Sequence, residues 1–145
     1  MFCMNKIIFL DVDGVLNKKH WVENKTPWIE ESRVKLVSDL CNATGAKVVL
    51  STNWREVLSE PSLFDNDGEI AKGYKLFQKY GIKINGITPR LNNREEEINS
   101  FIKDNNVGNW VVFDDNELHI KNFIHTDGLT VQDCDKALSI LNTVL

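Results

Sequence analysis

Apolar residues along this chain gather into five short runs: Lys6–Leu10 (KIIFL), Ala46–Leu50 (AKVVL), Lys83–Ile87 (KINGI), Trp110–Phe113 (WVVF) and Phe123–Thr126 (FIHT). The first, second and fourth are almost unbroken and rich in β-branched residues. That is the pattern of strands covered on both faces, as in a parallel sheet packed between helices. Gly86 interrupts the third run, and the fifth reads as an edge strand. The segments between the runs repeat with helical periodicity and carry helix ends. Thr26-Pro27 reads as an N-cap followed by a first-turn proline, Leu36, Val37, Leu40 and Cys41 form one apolar face, and Gly45 is the stop. A second helix is expected near Glu69 to Tyr80, with Ile70, Tyr74 and Phe77 on one side and Gly81 after it. A third opens at Asn93, takes Glu96 as a capping-box partner and buries Ile98, Phe101 and Ile102. The last begins at Thr130 and aligns Val131, Cys134, Leu138 and Leu141. Strand and helix in alternation predict an α/β protein with a mostly parallel, five-stranded sheet. Without repeats, linkers or low-complexity tracts, residues 1–145 read as a single domain.

Composition narrows the setting. The chain has 145 residues, of which 42% are apolar and 26% charged, the proportions of a soluble globular domain. A domain of this length buries roughly 70% of its unfolded surface, enough for one proper core. The net charge of −4 argues against wholesale electrostatic binding to nucleic acid or acidic membranes. Lys18, Lys19, His20 and Lys25 form a local basic cluster that reads as solvated surface. Cys3, Cys41 and Cys134 are odd in number and lack CxxC spacing, which disfavours disulfides and zinc. No window reaches the ~18 apolar residues of a membrane span, and no signal-like stretch opens the chain. A cytoplasmic protein without a membrane partner is expected.

Open α/β sheets place their sites beyond the carboxyl ends of the strands, so the residues following each run carry the chemistry. Asp11-Val12-Asp13-Gly14 follows the first run, Ser51-Thr52-Asn53 the second, and Asp114-Asp115 the fourth. Singly, each is an ordinary turn or helix cap. Together they deliver four carboxylates and two hydroxyls to one sheet edge. Like charges so placed raise one another's pKa and destabilise the fold, and a divalent cation offsets them. Mg²⁺ prefers carboxylate oxygens, which makes Asp11, Asp13, Asp114 and Asp115 its candidate ligands. The Val12 carbonyl is expected to point toward the same ion. Asp11 can attack phosphorus to form an aspartyl-phosphate, while Asp13 protonates the leaving alkoxide and then activates water. Ser51, Thr52 and Asn53, with N–H groups at a helix start, are candidates for binding phosphate oxygens. Phosphoryl transfer also calls for a basic side chain on the transferring group. Arg94, at the helix start beside Asn93, is the first candidate; Arg90, Arg55 and Lys83 compete.

KIIFLDVDGVL at Lys6–Leu16 resembles the first motif of the haloacid-dehalogenase-like (HAD) superfamily. VVLSTNWR at Val48–Arg55 resembles its second motif, VVFDDN at Val111–Asn116 its fourth, and Arg94 in NNREEEI its third. The motifs fall in the family's order and span nearly the whole chain. The resemblance implies a three-layer Rossmann-like fold, Mg²⁺, and chemistry through an aspartyl-phosphate on Asp11. An acid two residues after the nucleophile is the family's mark of phosphatases, so Asp13 favours phosphate esters over haloacids. A short flap is implied after the first motif, over Asn17 to Thr26. About 37 residues separate Asp13 from Ser51, and about 20 separate Arg94 from Asp114. Neither interval holds the cap domain many relatives insert. STNWR, GITPRL and Gly128-Leu129-Thr130 are similar to a small capless group found among nucleic-acid repair proteins. That similarity makes a nucleic-acid end or a nucleotide the expected phosphorylated substrate.

Three other classes stay open at this stage: a non-catalytic binding module on the same fold, a phosphoacceptor signalling domain, and a metal-dependent nuclease. Retention of both Asp11 and Asp13 counts against the first, and the DVD order against the second. Trp28 and Trp110 read as core, and Trp21 and Trp54 as residues near the site that can stack on a ligand. His20, His119 and His125 show no metal spacing.

Overall fold

A computed structural model describes residues 4–18, 28–59 and 68–143. Five strands, β1 (Met4–Leu10), β2 (Lys47–Leu50), β3 (Ile84–Ile87), β4 (Val107–Asp114) and β5 (Phe123–His125), form one sheet in the order β3-β2-β1-β4-β5. Every neighbouring pair is parallel. The helices are α1 (Glu31–Thr44), α2 (Arg55–Ser59), α3 (Glu69–Lys79), α4 (Arg94–Asp104) and α5 (Val131–Leu141). No cap domain interrupts the described residues, and none of their helices is long and apolar enough to cross a membrane.

The unbroken apolar runs have a simple reason. Side chains alternate between the two faces of a strand, and here both faces are covered. Ile8, Leu10, Val48, Leu50, Val111 and Phe113 meet Val34, Val37 and Leu40 of α1, Phe77 of α3, and Ala137 and Leu141 of α5. Ile7, Phe9, Val49 and Val112 face the other way, onto Ile98 and Phe101 of α4. Each such Leu, Ile or Phe contributes roughly 1.5–3 kcal/mol by leaving water. β1, in the middle, is buried throughout from Ile7 to Leu10 and is the most strongly held strand. Burial pushes the free thiols of Cys41 and Cys134 up to about 11 and about 12, so both stay protonated.

The helix ends depart from the sequence pattern in detail. Thr26-Pro27 lies outside the described residues, and α1 starts at Glu31, after an extended Glu30 that makes no side-chain cap bond. The Glu30 N–H is instead held by the Leu16 carbonyl at 2.8 Å, which ties the helix start to the loop after β1. Gly45 stops α1 as expected, at φ +76°. On α4, the Asn93 side chain accepts from the Glu96 N–H at 2.8 Å without the reciprocal bond. The complete capping box belongs to α5, where Thr130 Oγ1 accepts from the Asp133 N–H and the Asp133 carboxylate from the Thr130 N–H. Val131, aligned by the sequence with Cys134, Leu138 and Leu141 on one face, is 56% exposed beside a groove lined by Leu36, Leu40 and Cys134.

Candidate active site

Ladder hydrogen bonds align the carboxyl ends of the strands. The Asp11 N–H donates to the Phe113 carbonyl (3.2 Å), Ser51 N–H to Leu10 (2.9 Å), Thr88 N–H to Leu50 (3.1 Å) and Thr126 N–H to Asp114 (3.1 Å). Asp11, Ser51 and Asp114 therefore stand side by side on three central strands. Asp11, Asp114 and Asp115 each offer a carboxylate oxygen, and these oxygens lie within 4.8 Å of one another. The first two are buried, at 5% and 1% exposure. Burial, and after it the charge of Asp114, pushes the Asp11 carboxyl well above the ordinary carboxylate range. Burial likewise raises Asp114. Three crowded carboxylates with oxygen donors facing one point are a set that suits a hard divalent cation.

The turn after β1 is shaped to admit Asp115. Gly14 has φ +82°, and a Cβ there would fall 2.4 Å from the Asp115 Cβ. Only glycine both adopts that backbone freely and leaves the space. The Gly14 N–H is held by Asn17 Oδ1 at 2.8 Å, and Asn17 Nδ2 donates to the Trp28 carbonyl at 2.5 Å. Asn17, which reads from the sequence as the first flap residue, is fully buried and ties the turn together. From Lys19 onward, Trp21 included, the expected flap lies outside the described residues. The Val12 carbonyl, expected to point toward the ion, is engaged within the turn. It accepts from the Val15 and Leu16 N–H groups at 3.0 and 2.8 Å, which occupies both of its lone pairs.

Asp13 stands apart from the three clustered acids. Its Oδ1 accepts from Trp28 Nε1 at 2.9 Å and Asn17 Nδ2 at 3.3 Å, and its Oδ2 accepts from Trp54 Nε1 at 3.0 Å. These donors, and not the acidic group, hold the carboxylate that the sequence offers as a fourth metal ligand. Trp28 is core as expected, at 3% exposure, yet its polar edge reaches the site.

Arg94 is the basic residue of the four candidates whose guanidinium reaches the acids. Its Nη1 lies 3.0 Å from Asp114 Oδ2 and 3.7 Å from Asp11 Oδ1, and it donates to the Ser51 carbonyl. Arg90 is engaged by Glu56 at 2.5 Å and by the Asn53 carbonyl at 3.0 Å. Arg55 is buried, donating to the Thr52 carbonyl at 2.6 Å and to Glu97 Oε2 at 3.0 Å. Lys83 is exposed just before β3, at the opposite end of the strand from the site.

Glu97, which the sequence reading passed over, links these cations. One oxygen takes Arg55 and the Leu91 N–H (3.0 Å); the other lies 3.7 Å from Arg94 Nε. The available signal was its spacing, three residues after Arg94 on one helix face. Of the hydroxyls, Ser51 Oγ is buried with no hydrogen-bond partner, while Thr52 Oγ1 accepts from the Trp54 N–H at 3.3 Å. Asn53 is exposed, its carbonyl taken by Arg90.

A parallel sheet with DxDG ending its central strand, and an acid pair ending the neighbouring one, defines the haloacid-dehalogenase-like class. Within that class, residues 7–134 match the family described as the HAD domain in Swiss Army Knife RNA repair proteins, and the chain belongs to it. No curated protein and no solved structure matches the chain.

Proposed function

We propose that the chain is a Mg²⁺-dependent phosphate monoester hydrolase, a single hydrolase domain acting through an aspartyl-phosphate on Asp11. The observation carrying this reading is the division of labour among the acids. Asp11 sits buried within the clustered carboxylates, and Asp13, two residues on, is held separately by neutral donors. Asp11, Asp114 and Asp115 would hold the cation, which when bound offsets their charge and that of the phosphate.

Asp11 attacks phosphorus, a new O–P bond forms, and the ester P–O bond breaks. Asp13 gives its proton to the departing alkoxide oxygen. Water then attacks the phosphoryl group, Asp13 takes its proton, and inorganic phosphate leaves with Asp11 restored. Ser51 Oγ, buried and unpartnered, is placed to donate to a phosphate oxygen, and Arg94 supplies positive charge beside the transferring group. Thr52 and Asn53 act as the backbone frame of that phosphate subsite. Membership in a family described from RNA repair proteins supports a phosphorylated nucleic-acid end, or a nucleotide, as substrate.

Phosphate release from an aryl phosphate, measured with Mg²⁺ or with EDTA for wild type and Asp11→Asn, tests the reading. Metal-dependent release that disappears in the variant is expected. Release that survives in Asp11→Asn rejects Asp11 as nucleophile. If neither aryl phosphates nor phosphorylated oligonucleotides and nucleotides are hydrolysed, yet Mg²⁺ and a phosphate mimic bind, the chain is a binding module.

A further inference from the structure

Asp13 is gripped by two tryptophans from different parts of the chain. Trp28 lies on the approach to α1 and Trp54 just after β2, yet their indole N–H groups reach opposite oxygens of one carboxylate, at 2.9 and 3.0 Å. The two rings also pack edge to face, with centroids 5.1 Å apart and planes at 73°. Any buried indole N–H seeks an acceptor, and a main-chain carbonyl would satisfy it. Two mutually packed indoles that both choose the same acidic side chain do more than that. With both oxygens held, rotation of the carboxyl group breaks at least one charge-assisted hydrogen bond. An indole N–H can only donate, so each tryptophan engages one lone pair of an Asp13 oxygen, and at Oδ2 the other lone pair is left open among the described residues.

We propose that Trp28 and Trp54 are positioning residues that fix the Asp13 carboxyl group for proton transfer to the leaving group and from the attacking water. The inference rests on the hydrolase reading of the site. Misplacing a catalytic group by about 1 Å costs on the order of 10²-fold in rate, and losing a supporting hydrogen bond typically 10- to 100-fold.

Trp54→Phe is the decisive variant, because it keeps an aromatic ring at a 37% exposed position and removes only the N–H. Its kcat should fall about tenfold or more with KM within about twofold, and phospho-Asp11 should accumulate in single turnovers. Trp28→Phe should act in the same direction. A second readout does not need activity. The four tryptophans give four indole ¹H–¹⁵N signals, and the two assigned through Trp28→Phe and Trp54→Phe should move in Asp13→Asn. Wild-type kcat in Trp54→Phe overturns the proposal, as do Trp28 and Trp54 signals that ignore Asp13→Asn. A raised KM in Trp54→Ala beside wild-type behaviour in Trp54→Phe also overturns it, and assigns the ring to substrate stacking. Wild-type protein that hydrolyses no phosphate ester, while both indoles still follow Asp13, rejects the hydrolase reading and with it the catalytic consequence.

Discussion

Asp11, the proposed nucleophile, carries a local cost to the fold. Its carboxyl is raised by burial and by Asp114, so the folded chain keeps that proton to higher pH than an unfolded Asp, which titrates near about 3.9. The contribution favours folding below that value and is lost as pH rises through the raised one. In EDTA at pH 8, Asp11→Asn should therefore show a higher urea midpoint than wild type, with Mg²⁺ narrowing the difference. Equal urea midpoints in EDTA would show that Arg94 already offsets the acids completely. Asp13→Asn should still be phosphorylated on Asp11 but turn over slowly, which acid-quenched mass spectrometry reads directly. At Gly14 the constraint is steric. Gly14→Ala meets the Asp115 side chain and an unfavourable φ together, so it should lose about 3 kcal/mol in urea unfolding and weaken metal binding in calorimetry.

Between elements, α4 is the part that brings charge to the sheet edge. Arg94 opens it, Glu97 follows on the same face, and Glu97 reaches across to the buried Arg55 that opens α2. Breaking a buried ion pair at one partner leaves the other charge uncompensated. Glu97→Gln should cost about 3 kcal/mol in urea unfolding and also lower kcat/KM on an aryl phosphate, because Arg94 loses a neighbour that steadies it. Lys83→Ala, at the far end of β3, should be silent in both measurements. The docking of α4 also explains Gly86, which looks like a flaw in the third apolar run. A Cβ there would press on the Phe101 ring at 3.2 Å, so the glycine lets the helix close onto the strand.

For the molecule as a whole, no cap domain stands among the described residues, and the proposed hydrolase reading therefore favours a bulky phosphorylated chain as substrate. Oligonucleotides carrying a terminal phosphate should be hydrolysed with kcat/KM at least equal to that of free nucleotides, measured side by side at fixed salt. A strong preference for free nucleotides would mean that a pocket selects small ligands. With a net charge of −4, the dependence on salt should be shallow.

The strand order along the chain, the buried character of β1, β2 and β4, and the acids after them were legible in the sequence. Two-sided burial leaves unbroken apolar runs, and a parallel sheet sends every strand's carboxyl end to one edge. Motif order likewise singled out Asp11, Ser51, Arg94 and Asp114. The partners of those residues were not legible. Asn17, Trp28 and Glu97 act through contacts 11 to 42 residues away in the chain, and local periodicity carries no information at that range. The separation of Asp13 from the acidic cluster was decided by two indoles, and the engagement of Arg55 and Arg90 away from the acids by the carboxylates and carbonyls that the fold sets beside them. Hydrogen-bond partners are allotted only when the chain is packed, because each donor takes the nearest acceptor that the fold, and not the sequence, puts within about 3 Å.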